Sequence, residues 1–294
     1  MPPARLAPNR HFTRAGRRAI AMGQDFSATD TVGRGATGEA NMADGTFKDH
    51  FSGVSAGYAA YRPTYPIGLV DDLANISPGS ARALDCACGT GQLSVLLAER
   101  FAEVVATDAS VAQIEAARPG QGVIYRAAPA EDSGLPDASV DLITVAQAAH
   151  WLDLDGFYAE ARRVGRPGAA LALVAYGVLH IEDARTDRLI QHFYRETVGP
   201  YWPAERRHVH DGYRSLPFPF VEARLPERAM EVRWRLEDLV GYIGTWSAVK
   251  AAREALGSDP VGPFADALRE EWGDPVSRRR VAWPLSIRAG HVEG

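Results

Sequence analysis

The sequence lacks most of the features that would mark a specialised class of protein. Only two of its 294 residues are cysteines. These two, Cys86 and Cys88, are too close together to link distant segments and too few for a closed zinc site. No apolar run is long enough to cross a bilayer, and the formal net charge of −5 gives no general attraction for nucleic acid. We therefore expect a cytoplasmic protein without a metal, a membrane anchor or a nucleic-acid partner.

The composition is that of an ordinary globular protein, with 46% hydrophobic and 23% charged residues, and no internal repeat is visible. Residues 1–45 differ from the rest, because several arginines precede the first acidic residue, Asp25, and no apolar period is sustained. An organelle transit peptide is also arginine-rich, but this stretch has few serines and is broken by prolines. We expect a disordered leader, with Met22 or Met42 as alternative starts, followed by one folded domain over residues 46–294.

A turn of small residues follows the first apolar strand of that domain. The segment Ala83–Leu93 reads Ala-Leu-Asp-Cys-Ala-Cys-Gly-Thr-Gly-Gln-Leu, the pattern of a buried strand, a tight turn and a helix. Small residues let the backbone approach a ligand, and the first N–H groups of the helix can bind its acceptor atoms. Asp85 is predicted to end the strand and to face a cationic group of the ligand. Alanine at position 87 costs little if the backbone there keeps a negative φ, although its methyl group could crowd the ligand.

Strands and helices alternate from residue 81 to residue 176, which predicts a parallel, doubly wound α/β sheet. The predicted strands are residues 81–84, 103–107, 123–126, 140–145 and 169–176, with helices at about 91–100, 110–117 and 154–164. In such sheets the ligand lies beyond the carboxyl ends of the strands. The residues expected there are Asp85, Asp108, Ala109, Ala130, Glu131, Gln147, His150 and Trp151.

The flanking segments have a different pattern. A helix is predicted after Pro66 as far as Ile76, and others over residues 183–197, 236–255 and 264–272. Strand-like pieces lie in 221–235, and a late strand covers 281–288, where Pro284 indicates an edge strand or a bulge.

Two polar clusters in the flanks leave alternatives open. Tyr58, Tyr61 and Arg62 lie in an aromatic stretch that either covers the ligand turn as a lid or packs against the core. His208 and His210, with Asp211, could bind a metal, but so short a cluster is more typical of a solvated surface.

Together these features resemble the class I S-adenosylmethionine-dependent methyltransferases, and more narrowly the group that contains trans-aconitate methyltransferase. The resemblance runs from about residue 47 to the C-terminus. It rests on residues 51–66, on 85–91 with Ala87 in place of the first glycine of the motif, on 140–151, and on Thr245-Trp246-Ser247. It implies a Rossmann-like sheet of seven strands with the last one antiparallel. The core would be residues 80–177, the lid and the C-terminal helical cap insertions 46–79 and 178–280, and the last strand 281–290.

The resemblance also implies roles for individual residues. Asp85, Ala87, Gly89 and Gly91 would cradle the methionine part of the donor, Asp108 would hold the ribose, and Ala130 and Glu131 would flank the adenine. Further donor contacts would come from Ala109 and Gln147. The residues at the reacting atoms would be His150 and Trp151, and the acceptor would contact Tyr58, Tyr61, Arg62, Tyr176 and Trp246.

The expected reaction is transfer of a methyl group from S-adenosylmethionine to an oxygen of an organic acid or a related small metabolite. A carboxylate acceptor needs only orientation, by Arg62 or His150, whereas a phenol, alcohol or amine would need His150 as a base. Two other interpretations remain. One is a NAD-dependent oxidoreductase that uses Gly89-x-Gly91-x-x-Ser94, which Asp85 disfavours because its charge would face a pyrophosphate. The other is a non-catalytic S-adenosylmethionine binder.

Overall fold

A central sheet of short apolar strands organises residues 63–293, the part of the chain that this computed structural model describes. Most side chains of its middle strands are buried on both faces, as parallel strands covered by helices require. The strands are β1 (Arg82–Cys86), β2 (Glu103–Asp108), β3 (Val123–Ala127), β4 (Val140–Ala146), β5 (Gly165–Tyr176), β6 (His180–Ile181), β7 (Val221–Ala223), β8 (Ala229–Trp234) and β9 (Arg279–His291).

Helices connect these strands and build the cap. They are α1 (Ile67–Ile76), α2 (Ser94–Leu97), α3 (Val111–Glu115), α4 (Leu154–Val164), α5 (Ala184–His192), α6 (Arg206–His210), α7 (Leu236–Gly244), α8 (Ser247–Leu256) and α9 (Val261–Trp272). Short 3₁₀ turns occur at Ala149–Trp151 and Gly199–Tyr201, and a π-helical turn at Phe193–Thr197 extends α5. No helix within residues 63–293 is long and apolar enough to cross a membrane.

The strand order is β3-β2-β1-β4-β5-β9-β6. The first five strands pair in parallel, and β9 is antiparallel to β5. This confirms the Rossmann-like sheet with seven strands along its path and an antiparallel last strand. Two short strands, β7 and β8, also pair with β9, so the cap segment contributes strands as well as the expected helices.

The long strand β9 joins the cap to the core. Its first half pairs with β6 and β8, and its second half pairs with β5 and β7. Pro284 lies where the neighbours change, because the β8 register ends at Ala229–Pro284 and the β5 register begins at Tyr176–Leu285. On the β5–β6 side of β9 no ladder pair includes Pro284, and the register steps by one residue between Tyr176–Leu285 and His180–Ala282, an irregularity of the kind that the proline predicts. A residue without an N–H is tolerated here because it lies at a junction between two pairings.

Alternate residues of each strand face opposite layers of the core. On one face, Val104 and Leu142 pack with α1, α2 and the cap helices; on the other, their neighbours Val105 and Ile143 pack with α4 and residues 209–220. Both faces are therefore covered, and the carboxyl ends of the strands remain as the place for a ligand.

Several predicted boundaries need correction. Strand β1 continues to Cys86, so Asp85 lies inside the strand, and the helix after the turn is only Ser94–Leu97. Strand β5 begins at Gly165 instead of residue 169. The single helix predicted for residues 236–255 is two helices. The first ends where Thr245 Oγ1 donates to the Tyr242 carbonyl, at 2.6 Å.

The predicted leader and the first part of the predicted lid, residues 46–62, lie outside the described residues. This includes the acceptor-site candidates Tyr58, Tyr61 and Arg62.

Candidate active site

The turn between β1 and α2 is a tightly wound loop of small residues. Cys88 donates its backbone N–H to the Thr107 carbonyl at 2.9 Å, and Gly91 donates to the Cys88 carbonyl at 3.0 Å. The φ angles of Ala87, Gly89 and Gly91 are 50°, 56° and 78°. The condition under which alanine costs little at position 87, a negative φ, is therefore not met. An alanine held in the left-handed region costs about 1–2 kcal/mol, because its Cβ approaches the carbonyl oxygen.

The two glycines of this loop have different reasons to be glycine. A Cβ at Gly91 would overlap the hydroxyl of Tyr125, a β3 residue that donates to the Arg118 carbonyl at 2.7 Å. Beside Gly89, by contrast, the nearest atom to such a Cβ is Gln113 Oε1 at 3.8 Å. Gly91 is thus required by packing, whereas the backbone at Gly89 is open for the close approach of a ligand.

Asp108 ends β2 and connects it to the loop. Its carboxylate accepts from the backbone N–H of Gly89 at 2.9 Å and from that of Ser110 at 2.8 Å, while Ala109 beside it is exposed. Each carboxylate oxygen can accept more than one hydrogen bond. Asp108 can therefore hold the loop and still accept from the hydroxyls of a ribose.

Asp85 is almost completely buried, with 1% of its surface exposed. Its two oxygens accept from Ser94 Oγ at 2.6 Å and Thr144 Oγ1 at 2.7 Å, so this carboxylate ties β1 to α2 and β4. Burial raises its pKa to about 6, a rise that the two hydrogen bonds reduce and that the charge of Asp108 increases slightly. A buried carboxylate of this kind is stabilised by a cation placed next to it.

Gln147, directly after β4, has φ 59° and donates from Nε2 to the Tyr176 carbonyl at 2.7 Å. Its Oε1 is buried and has no hydrogen-bond partner within residues 63–293. Leaving a buried hydrogen-bond acceptor unsatisfied costs about 1–3 kcal/mol, so a group with a hydrogen-bond donor is expected to bind there. The charged amino group of S-adenosylmethionine is such a donor.

The adenine-site candidates follow β3. Ala130 is buried, and Glu131 Oε1 accepts from the backbone N–H of Asp153 at 3.1 Å, just before α4. Because this bond ties the loop after β3 to the start of α4, it gives Glu131 a structural contact in addition to its predicted one.

His150 and Trp151 lie side by side in the 3₁₀ turn after β4, with ring centroids 4.8 Å apart. His150 Nδ1 lies 3.0 Å from the hydroxyl of Tyr213. Burial is the main cause that lowers the pKa of His150 to about 4, and interactions with Arg206 and His208 contribute to this lowering. The imidazole is therefore neutral at pH 7.

Tyr213 was not among the residues that the sequence pointed to. It is fully buried, has φ 64°, and is held by its N–H to the His208 carbonyl at 2.7 Å and by Arg288 Nη1 to its own carbonyl at 2.9 Å. A left-handed tyrosine costs about 1–3 kcal/mol, and such strain is common at functional sites. The pair Asp211-Gly212 before it indicates a turn, but no local pattern indicates contact with His150.

The remaining acceptor-site candidates lie in packed surroundings. Trp246 is buried among cap aromatic residues, with ring centroids 5.3 Å from Tyr194 and 5.8 Å from Trp202. The guanidinium of Arg206 lies over the Trp202 ring, 4.7 Å from its centroid. Tyr176 ends β5, buried and edge-on to Tyr65. Their contact with an acceptor stays a prediction.

The cap histidines have hydrogen-bond partners of their own. His208 Nδ1 lies 2.6 Å from Ser215 Oγ, and His210 Nε2 lies 2.7 Å from the Tyr194 hydroxyl. In the described part of the chain, no three His, Cys, Asp or Glu side chains are grouped so as to hold a metal ion.

Comparison with known proteins agrees with this architecture. The family described as "Methyltransferase domain" matches residues 84–173. A Dictyostelium discoideum protein named as a methyltransferase is 34% identical over 226 residues, which cover 76% of this chain and 86% of the relative. A solved structure from Anaeromyxobacter dehalogenans, described as a type II methyltransferase, has 49% identity and a TM-score of 0.76, with coverage of 79% of this chain and 98% of that one.

The chain therefore belongs to the class I S-adenosylmethionine-dependent methyltransferases, and S-adenosylmethionine is its methyl donor. The open backbone at Gly89 and the unsatisfied buried Oε1 of Gln147 suit a ligand that approaches closely and carries an N–H donor, as the amino group of S-adenosylmethionine does. A nicotinamide-dependent oxidoreductase is thereby excluded. The narrower likeness to the trans-aconitate group stays a prediction, as do the roles of the individual site residues.

Proposed function

We propose that this enzyme methylates a carboxylate oxygen of a small organic acid. The observation that carries the proposal is the positive charge next to His150. Burial, Arg206 and His208 lower the pKa of this imidazole, and Glu205 raises it. The positive charge in this group is the guanidinium of Arg206, which lies on α6. Arg206 contacts the Trp202 ring and the Tyr194 hydroxyl, at 3.3 Å, so its charge remains for an anionic acceptor.

One relative supports an oxygen acceptor. A malonyl-[acyl-carrier protein] O-methyltransferase of Methylococcus capsulatus is 34% identical over 145 residues, which cover 46% of this chain and 53% of the relative. The chain thus spans about half of that protein. Its name supports methyl transfer to oxygen on the same fold, while the acceptor of this chain is our inference from the charges around His150.

The residues of the chain divide the work between the two substrates. When bound, the donor supplies an already activated methyl group on its sulfonium. Asp108 would hold its ribose, and Asp85 with Gln147 would hold its methionine end. His150 would orient the acceptor carboxylate, and Trp151 would shield the reacting atoms from water. No proton needs to be removed, because a carboxylic acid is already ionised at pH 7.

A phenol, alcohol or amine acceptor would require His150 to take a proton. A base is most effective when its pKa lies near the working pH. With a pKa of about 4, His150 is a weak base toward such groups. This observation favours the carboxylate.

The test uses methyl-labelled S-adenosylmethionine with a panel of small carboxylic acids, each paired with its primary amide, and with phenols and amines of similar size. A methyl ester releases labelled methanol when treated with alkali, whereas a methyl ether or a methylamine does not. We expect alkali-labile label that depends on a free carboxyl group. Label that is stable to alkali, or that enters phenols or amines, would refute the proposal.

A further inference from the structure

Tyr213 has a single hydroxyl proton, and the buried surroundings determine where it goes. Within the described residues the oxygen has one hydrogen-bond partner, Nδ1 of His150 at 3.0 Å. A buried hydroxyl donates its proton where an acceptor lies within hydrogen-bond distance. The hydroxyl proton therefore goes to Nδ1 of His150.

The opposite arrangement fails to satisfy the same groups. If Nδ1 carried the proton and donated it to the tyrosine oxygen, the buried Tyr213 hydroxyl would have no acceptor among residues 63–293. A doubly protonated imidazole fails for the same reason. It would also face the charge of Arg206, with Glu205 as the opposing acid.

The backbone that holds Tyr213 in this place is strained. Its own φ is 64° and that of Gly212 is 66°. A side chain at Gly212 would meet Ser286 of β9, so the turn is pressed against the last strand of the sheet. The carbonyl of Tyr213 accepts from Arg288 of the same strand. These contacts fix the hydroxyl beside the 3₁₀ turn that carries His150.

The structure assigns Tyr213 as a positioning residue that holds His150 in the neutral tautomer with the proton on Nε2. His150 then presents a hydrogen-bond donor to the acceptor, while its other nitrogen is occupied by Tyr213. It serves to orient an anionic oxygen and has no free lone pair with which to take a proton. The tautomer follows from contacts within the chain, and only its consequence for the acceptor rests on the proposed function.

The experiment is long-range ¹H–¹⁵N correlation spectroscopy of the full-length, ¹⁵N-histidine-labelled protein at pH 7. It distinguishes a protonated ring nitrogen from an unprotonated one for each of the eight histidines. Replacement of His150 by glutamine assigns its signals. In the wild type we expect a protonated Nε2 and an unprotonated, hydrogen-bonded Nδ1. A protonated Nδ1, or a doubly protonated ring, would overturn the assignment.

The role of Tyr213 is tested with Tyr213→Phe, and with Tyr194→Phe as a matched control. The Tyr194 hydroxyl lies 2.7 Å from Nε2 of His210, and within the described residues it makes no hydrogen bond to His150. We expect Tyr213→Phe to replace the single tautomer of His150 by a mixture and Tyr194→Phe to leave the His150 tautomer unchanged. An unchanged His150 tautomer in Tyr213→Phe would refute the positioning role.

Should Tyr213→Phe fail to fold, the wild-type hydroxyl proton of Tyr213 decides. A slowly exchanging tyrosine hydroxyl proton that correlates with Nδ1 of His150 across the hydrogen bond supports the assignment. A proton bonded directly to Nδ1 contradicts it. None of these measurements uses a methyl acceptor. If the enzyme proves to methylate something other than an acid, the tautomer result stands separately and the two failures are distinguishable.

Discussion

The hydroxyl of Tyr213 lies 3.0 Å from Nδ1 of His150, a residue 63 positions earlier in the chain. His150 belongs to the donor-binding half of the molecule, at the end of β4, whereas Tyr213 belongs to the cap. The two parts of the enzyme thus meet at the point where the acceptor is proposed to bind. The chemistry available to His150 is set by a cap residue, and this makes the role of the histidine testable by substitution.

We expect His150→Gln to keep most of the activity and His150→Ala to lose about 10–100-fold in kcat. The glutamine amide retains a donor where the imidazole has Nε2–H, and losing a hydrogen bond to a charged group costs about 1.5–3 kcal/mol. Turnover is measured by transfer of labelled methyl to the acceptor found in the panel. His180→Gln, at an exposed histidine, is the control. An equal loss in both His150 variants, with a flattened pH profile in each, would instead mean a base.

Replacing Asp108 should weaken the donor site. We expect Asp108→Ala to reduce the binding free energy of S-adenosylhomocysteine by about 1–3 kcal/mol, since it removes a charge-assisted bond to the ribose and releases the N–H groups of Gly89 and Ser110. Asp108→Asn should lose less, because one acceptor oxygen remains. Calorimetric titration gives both values. The control is Asp266→Ala, at an exposed carboxylate of α9; unchanged affinity in Asp108→Ala would remove Asp108 from the site.

The raised pKa of Asp85 predicts a pH dependence of stability. Its folded value of about 6 lies above the ordinary value of 3.8, so between these values the folded protein binds more protons than the unfolded chain. This contribution to stability therefore grows as the pH falls through 6 and is complete below about 4.

The size of the effect follows from the shift. About two pKa units correspond to about 3 kcal/mol. Urea unfolding of wild type and Asp85→Asn at pH 7, 6, 5 and 4 measures it, because groups other than Asp85 titrate alike in both proteins and cancel in the difference. The wild type should gain on the variant toward low pH. A difference that stays constant over this range would show that Asp85 is not the titrating group.

The glycine loop offers a pair of opposite substitutions. Gly91→Ala should destabilise the fold by about 2–4 kcal/mol, because the new Cβ would overlap Tyr125 and the backbone is left-handed. Ala87→Gly should be neutral or stabilise the fold by up to about 1 kcal/mol. It relieves the backbone strain at φ 50° but increases the conformational entropy of the unfolded chain.

Both variants are compared by thermal unfolding. The double variant Gly91→Ala with Tyr125→Ala should regain part of the loss if the overlap with the tyrosine is its cause. If the loss of stability in the double variant equals the sum of the losses in Gly91→Ala and Tyr125→Ala measured separately, the overlap plays no part.

The sequence predicted the donor-binding core well because its signals are local. Strands β1, β2, β4 and the second half of β5 are apolar runs between turn residues, as buried strands of a sheet covered on both faces require. The position of Asp108 at the end of β2 was predicted for the same reason, while its role in the site stays a prediction. Asp108 directly follows an apolar run, and the end of a parallel strand lies at the ligand edge of the sheet.

The acceptor side was less predictable because its contacts join distant segments. Trp246 packs against Tyr194 and Trp202, and nothing within a few residues of it indicates those partners; its contact with the acceptor stays a prediction. The interruption of the helix at Thr245, where the side-chain hydroxyl donates to the Tyr242 carbonyl, was missed as well.

The sequence alone therefore determined the class of fold and the residues at the strand ends, because apolar periodicity and turn residues act over a few positions, and its resemblance to the methyltransferases indicated the donor. Only the tertiary structure decided the state of the groups at those ends. Burial sets the charge of Asp85, packing against Tyr125 makes glycine necessary at position 91, and Tyr213 reaches His150 from the cap. Desolvation and hydrogen bonding depend on what surrounds a side chain in space, and those surroundings come from residues far away along the chain.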